Sequence, residues 1–221
     1  MRTLFITGTD TEVGKTVAAC ALVRQLVAGG QKVAVMKPVA SGCEWVDGQL
    51  RNEDALALME VANVALPYGQ VNPYAFEPAI APHIAAARAG VLIEPARAAS
   101  KAAGIEADWL VVEGAGGWCV PLDEQRLLPE LVRCFTREVV LVVGLKLGCI
   151  NHSVLSARQI EQDGFRLVGW VANEIDPAMS CREENLETLK GLLKAPLLME
   201  IPWNSANPGA GARTVQDLIF C

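Results

Sequence analysis

The chain has little that would mark a metalloprotein, a membrane protein or a nucleic-acid binder. Its 221 residues include two histidines, His83 and His152, and seven cysteines: Cys20, Cys43, Cys119, Cys134, Cys149, Cys181 and Cys221. The cysteines never fall as Cys-x-x-Cys or beside paired histidines, so no zinc centre is expected, and odd, scattered thiols read as reduced cysteines of a cytoplasmic protein. No apolar run approaches the length of a bilayer span, and the N-terminus enters a strand without the charged-then-apolar order of a signal segment. The net charge of −6 is spread without long runs of one sign, which leaves no electrostatic footprint for nucleic acid or an anionic membrane. Aromatic residues make up 5%, and the five tryptophans are better explained as core or pocket walls than as a cofactor box. Neither an internal repeat nor a low-complexity segment occurs.

With 52% hydrophobic and 20% charged positions, the chain can bury one core and is too short for two full ones, so residues 1–221 are expected to form a single domain. The most informative stretch is Gly8-Thr9-Asp10-Thr11-Glu12-Val13-Gly14-Lys15-Thr16, directly behind the apolar run Thr3 to Ile6. A buried strand that breaks into a glycine-bearing loop and reopens as a helix aims backbone N–H groups and a helix N-terminus at one point, as a polyphosphate requires. In such a P-loop Lys15 reaches the β- and γ-phosphates, Thr16 offers its hydroxyl to Mg²⁺, and Gly14 lets the backbone approach the phosphate oxygens. Thr9 stands where the usual pattern has its first glycine, with Gly8 one residue early, so the loop is a variant. The bland alternative is an ordinary turn between strand and helix.

The rest of the chain alternates strand and helix. Helices are expected over Thr16 to Ala28, from Asn52 as N-cap, over Ile84 to Arg88, over Ala96 to Ala103, around Leu127 to Phe135, up to Gln162, and around Leu186 to Leu193. Strands are expected over Lys32 to Met36, Trp109 to Val112, Glu138 to Val143, Leu167 to Ala172 and Leu197 to Ile201. Val39 to Gly42 reads as a loop beside the P-loop, and Val71 to His83 as proline-rich connection. This predicts an α/β protein: a P-loop NTPase-like three-layer fold with a largely parallel central sheet flanked by helices. Glu113, at the end of a buried strand and followed by Gly114-Ala115-Gly116-Gly117, resembles the carboxylate that completes a Mg²⁺ site, against the alternative of a solvent-facing strand end. Both histidines suit capping or surface roles better than catalysis.

Taken in order, the P-loop, Lys37-Pro38-Val39-Ala40-Ser41-Gly42, Arg51-Asn52-Glu53-Asp54-Ala55, Glu113 to Gly117, Lys146-Leu147-Gly148-Cys149-Ile150-Asn151-His152, Gly169 to Asn173 and Ile201-Pro202-Trp203 resemble dethiobiotin synthetase over nearly the whole chain. The resemblance implies a homodimeric, cytoplasmic, ATP- and Mg²⁺-dependent cyclo-ligase of biotin synthesis. Its substrates would be 7,8-diaminopelargonic acid, CO₂ and ATP, and its products dethiobiotin, ADP and phosphate. One amine takes up CO₂ as a carbamate, the carbamate is phosphorylated to a carbamic-phosphoric mixed anhydride, and the second amine closes the ring. The resemblance further implies that Glu12, Val13, Gly14, Lys15, Thr16 and Val17 hold the ATP phosphates and that Thr16, Asp54 and Glu113 surround Mg²⁺. Lys37 would be the catalytic lysine, Thr11 and Ser41 would contact the diamine, and Glu113, Gly114, Ala115 and Gly116 would border both ligands. Asn173 and Glu174 would meet adenine, with Pro202, Trp203 and Asn204 closing over it. Gly148, Cys149 and Asn151 would reach across the dimer to bind the substrate's carboxylate tail; the alternative is that Gly148 turns the chain and Asn151 caps the next helix. Gly209 stands where the family usually has a further nucleotide-contacting glutamate, so divergence is expected in nucleotide selectivity.

Two other readings share the phosphate machinery. A small-molecule kinase would leave a stable phosphorylated product and need no bicarbonate. A partner-controlled ATPase switch would carry a signature lysine where this chain has Asp10.

Overall fold

The computed structural model describes residues 1–205. Six strands form a parallel sheet: β1 (Arg2–Gly8), β2 (Val33–Met36), β7 (Trp109–Gly117), β8 (Glu138–Leu145), β9 (Arg166–Glu174) and β10 (Leu197–Ile201), in the order β10-β9-β8-β1-β7-β2. Residues along the central strands alternate between two cores. Phe5, Leu110, Val112, Val139, Leu141 and Val143 face one. Leu4, Ile6, Val111, Val140 and Val142 face the other. Burial on both faces is why these strands read as continuous apolar runs. It also makes them sensitive, since trimming a fully buried leucine such as Leu141 to alanine costs about 2–5 kcal/mol.

The helices are α1 (Lys15–Ala28), α2 (Glu53–Val61), α3 (Tyr68–Val71), α4 (Pro82–Arg88), α5 (Pro95–Ser100), α6 (Leu128–Arg133), α7 (Cys149–Gln162) and α8 (Arg182–Leu192). Helix α1 is wrapped on most of its surface: Ala18, Ala19, Ala21, Leu22 and Val23 are all fully buried, and it packs between the sheet and α2. It ends at Gly29-Gly30, where the Gln31 N–H returns to the Leu26 carbonyl and closes the last turn.

Several elements differ from expectation. Val39 to Gly42 is not all loop, because β3 (Val39–Ser41) pairs in parallel with β6 (Tyr74–Phe76), and α3 and β6 flank the beginning of the proline-rich connection. A small antiparallel hairpin, β4 (Glu44–Val46) with β5 (Gln49–Arg51), separates Ser41 from α2. Strand β7 does not stop at Val112 but continues through Glu113 to Gly117. Its register matters for the site. Met36 pairs with Val112 and Ile6 with Glu113, so the residue after β2, Lys37, comes to lie beside Glu113 at the carboxyl edge of the sheet.

Candidate active site

The P-loop leaves β1 with the Thr9 N–H bonded to the Val142 carbonyl of β8, then turns into α1 at Gly14. Gly14 has φ 78°, and a Cβ there would lie 2.0 Å from the Asn173 amide nitrogen, so only glycine fits both the backbone and its surroundings. With no side-chain cap at Gly14, the first N–H groups of α1 are left to whatever sits in front of the helix. Glu12 holds φ 59°, an uncommon conformation for a residue with a side chain, at the wall of the same cavity.

That cavity has a volume of about 370 Å³. From the P-loop and α1 it is lined by Thr11, Glu12, Gly14, Lys15, Thr16 and Val17. Lys37, Ala40, Ser41, Asn52, Glu53 and Asp54 come from the β2 side, and Glu113, Ala115 and Gly116 from β7. The fold thus gathers the phosphate, metal and diamine residues expected from sequence into one space. Val13 and Gly114 are buried and do not line it.

Lys37 is buried, and its ammonium donates to Glu113 Oε1, to Asp54 Oδ2 at 2.9 Å and to the Gly114 carbonyl at 3.3 Å. Burial alone would push this ammonium's pKa down. The charges of Glu113 and Asp54, with their hydrogen bonds, outweigh it and hold the pKa above the ordinary lysine value. Asp54 is the converse: burial would raise its pKa, but Lys37, then Thr16 and Lys15, keep it below the usual carboxylate range. Lys15 is differently placed. Its ammonium donates to the neutral Asp10 carbonyl at 2.9 Å, and burial followed by the charge of Lys37 pushes its pKa down to about 8. A lysine so poised gains most from an arriving polyanion.

Thr16 Oγ1 donates to Glu113 Oε1 at 3.0 Å, whereas Glu113 Oε2 is buried with no hydrogen-bond partner among the described residues. An orphaned carboxylate oxygen beside a hydroxyl and Asp54 is an all-oxygen donor set that fits a hard divalent cation. No cluster of three or more His, Cys, Asp or Glu suited to a metal occurs among the described residues, so such an ion would take its remaining ligands from phosphate and water.

The remaining expected residues lie outside this cavity. The Asn173 amide donates to the Val13 carbonyl at 2.9 Å and ties the end of β9 to the P-loop. Glu174 Oε2 accepts from the Trp203 N–H at 3.0 Å, which brings Glu174 together with the exposed turn Pro202, Trp203 and Asn204. Gly148 is the N-cap of α7 at φ 95°, and Cys149 is buried, so only its backbone can meet a ligand. Asn151 is exposed in the first turn of α7 and makes no capping bond, which removes the capping alternative. Gly209 lies outside the described residues.

Sequence reasoning missed the link between Asp10 and Lys146, whose Nζ lies 3.3 Å from Asp10 Oδ2 and joins the P-loop to the loop before α7. The Thr11 N–H, more than Lys146 and His152, holds the Asp10 carboxyl below its usual range. It also read Asn52 as an N-cap only. Asn52 does cap α2, accepting from the Ala55 N–H at 3.2 Å, and it lines the cavity as well.

A model of the AAA domain matches residues 2–207. The chain is 52% identical over 212 residues to the ATP-dependent dethiobiotin synthetase of Idiomarina loihiensis, covering 92% of this chain and 93% of that one. It is 52% identical to the synthetase of that name from Pseudomonas aeruginosa over 96% and 95% of the two chains, and 48% identical to one from Escherichia coli over 92% of each. Among solved structures it is similar in fold to the MinD cell division protein of Aquifex aeolicus, with a TM-score of 0.55 at 17% identity over 91% of this chain and 82% of that one. A ParA family ATPase from Chlorobium tepidum gives 0.54 at 14% identity over 99% and 96%. At such identities the structures establish the P-loop NTPase fold, whereas about half-identity over more than nine-tenths of the synthetases establishes more. With its P-loop, its buried Lys37 between two carboxylates and these relatives, the chain belongs to the ATP-dependent dethiobiotin synthetase family.

Proposed function

We propose that this chain joins CO₂ to 7,8-diaminopelargonic acid with ATP, forming dethiobiotin, ADP and phosphate. The observation that carries the reading is Lys37, held charged at the floor of a cavity whose other wall is the P-loop, in a chain half identical to dethiobiotin synthetases. Carbamate and triphosphate are both anionic, and their approach needs fixed positive charge that does not have to reorganise during the reaction.

One amine of the diamine forms an N–C bond to CO₂ and loses a proton, giving the carbamate. Lys37 shares the cavity with Thr11 and Ser41, which contact the diamine, and with Lys15, and it stabilises the carbamate as its oxygen attacks the γ-phosphorus and ADP departs. The second amine then attacks the anhydride carbon and loses a proton, the C–O bond breaks, and phosphate leaves with that oxygen. Lys15 and the backbone N–H groups of residues 12–17 hold the phosphates throughout. Thr16, Asp54 and Glu113 would hold Mg²⁺, which when bound offsets phosphate charge. Glu113 to Gly116 border both ligands, and Asn173, Glu174 and Pro202 to Asn204 take the nucleoside.

Residues 1–221 act as one cytoplasmic domain, working with small molecules and with a second copy of itself. Among the described residues no helix is long and apolar enough to cross a membrane. In the shared site a second copy would meet Leu147, 91% exposed just before Gly148, and Asn151, exposed in the first turn of α7. Mixed Lys37→Ala and Asn151→Ala chains should then regain activity at about a quarter of sites after random exchange. Full exchange without recovery excludes the shared site.

The direct test of the activity is ATP turnover with and without diamine and bicarbonate, with the organic product identified by mass. Phosphate release that needs both, with dethiobiotin as product, is expected. A stable phosphorylated product made without bicarbonate would establish a kinase. A partner-controlled switch is disfavoured by Asp10, which is paired with Lys146 at the place where such proteins carry a lysine.

A further inference from the structure

Lys37 stands beyond the end of its strand. The ladder between β2 and β7 closes at Met36 and Val112, β2 is the edge strand, and Pro38 has no N–H to carry pairing onward. The backbone of Lys37 is held instead by the end of α3, Val71, and its C-cap, Asn72. The Lys37 N–H donates to the Val71 carbonyl at 2.9 Å, and its own carbonyl accepts from Asn72 Nδ2 at 2.6 Å. Asn72 is 3% exposed and also reaches the Tyr74 carbonyl at 3.4 Å. Its Oδ1 accepts from the Tyr68 hydroxyl at 2.9 Å, and the same hydroxyl oxygen accepts from the Asn52 N–H at 2.7 Å. Asn52 is the N-cap of α2, whose first turn carries Asp54. An unbroken hydrogen-bonded bridge therefore runs from the backbone of Lys37, through Asn72 and Tyr68, to the helix start that presents Asp54. The Tyr68 ring is itself fixed by the Arg51 guanidinium, 4.1 Å from its centroid.

We infer that Tyr68 and Asn72 are positioning residues of the reaction: the bridge sets the separation of Lys37 and Asp54, although neither residue lines the cavity. The bridge spans two elements that the sheet does not register against each other, since Lys37 follows an edge strand and Asp54 follows a three-residue hairpin strand. Every polar atom in it is matched, so a single deletion strands partners at both ends. Loss of the Tyr68 hydroxyl leaves Asn72 Oδ1 and the Asn52 N–H without it, and loss of the Asn72 amide frees the Lys37 carbonyl. Displacements of about 1 Å at a reacting group commonly cost on the order of 10²-fold in rate.

The inference rests on the roles proposed above for Lys37 and Asp54, and its test separates the two. Dethiobiotin formation is measured in Tyr68→Phe and Asn72→Asp, alone and in the Lys37→Ala background, with the ATP KM and melting temperature of each variant. Tyr68→Phe keeps the ring on Arg51, so it carries the test even should Asn72→Asp fail to fold. We expect kcat to fall at least about tenfold in each single variant, with the ATP KM within about twofold of wild type. In the Lys37→Ala background the same substitutions should cost about threefold at most, as coupled residues do in a double-mutant cycle. A folded Tyr68→Phe with wild-type kcat overturns the inference, and so does a fall that persists undiminished without Lys37, the mark of general loosening. Wild-type turnover by Lys37→Ala alone would instead overturn the role of Lys37, and this inference with it.

Discussion

The phosphate end of the site and the nucleoside end are built differently. Lys37 and Glu113 are 4% and 0% exposed and interlocked with Thr16 and Asp54, and Lys15 beside them is 7% exposed, whereas Trp203 is 46% exposed on a turn whose backbone N–H donates to the Glu174 carboxylate. The first lies over the middle and β2 edge of the sheet, the second past the ends of β9 and β10 at the opposite edge. Lys37 is matched by Glu113 and Asp54 before a ligand arrives, as a buried charge must be, so the frame of the phosphate end is preorganised by the needs of its own stability, while Lys15 and Glu113 Oε2 are left to gain from an arriving anion and cation. A base can be covered by an apolar ring with far less framework, and that end is free to vary. Damage to the first region should therefore cost much more than damage to the second.

The largest effect is expected from Lys37→Ala. Removing one preorganised donor to developing charge costs about 10² to 10³ in rate, and ring formation should fall by that much with the fold retained by circular dichroism. Near-normal turnover in a folded variant would end the claim that this region carries the chemistry. Asp54→Asn and Glu113→Gln come next: if both face one Mg²⁺ with Thr16, each should raise the Mg²⁺ needed for half-maximal activity by about tenfold, or ~1.4 kcal/mol. Unchanged titrations for both would remove them from the metal shell.

Much of the contrast was legible in the sequence, for identifiable reasons. Strand, P-loop and helix α1 are contiguous, so Gly14, Lys15 and Thr16 announce themselves locally, and the six strands of the sheet stand out as apolar runs covered on both faces. Glu113 is recognisable in sequence, but its place inside β7 is not, because Gly114, Gly116 and Gly117 read as loop formers and only the neighbouring strand β1, pairing Gly8 with Gly117, shows the strand to continue. The three-residue strands β3 to β6 are too short for any periodicity to show. Tyr68 and Asn72 were hidden for another reason: their partners are backbone atoms of Lys37 and Asn52, which no side-chain pattern reveals. At the nucleoside end, the contact of Asn173 with the P-loop depends on strand order, which the sequence does not state.

Two smaller effects sharpen the comparison. Burial and then the charge of Lys37 push the Lys15 pKa down to about 8, and bound phosphates would raise it, so nucleotide binding above pH 8 should take up a proton. Its protonated form is complete below that pH, and affinity should fall about tenfold per unit as pH rises beyond it. Calorimetry in buffers of different ionisation enthalpy should register the proton uptake, and pH-independent affinity between 8 and 9 would contradict it. Trp203→Ala should matter least. Loss of a ring covering the base, worth ~0.5–1.5 kcal/mol, would raise the ATP KM about two- to tenfold and leave kcat alone. A loss as large as that of Lys37→Ala would erase the distinction between the two ends.

In the proposed reaction the buried cation of Lys37 brings a carbamate oxygen against the γ-phosphate. Bicarbonate labelled with ¹⁸O follows that oxygen directly when turnover is fast relative to exchange with water. If the carbamate is phosphorylated and the ring then closes with loss of phosphate, one labelled oxygen ends in the released phosphate and another in the ureido carbonyl. Labelled dethiobiotin accompanied by unlabelled phosphate would mean that ATP is hydrolysed apart from the carbamate, and the account would be wrong.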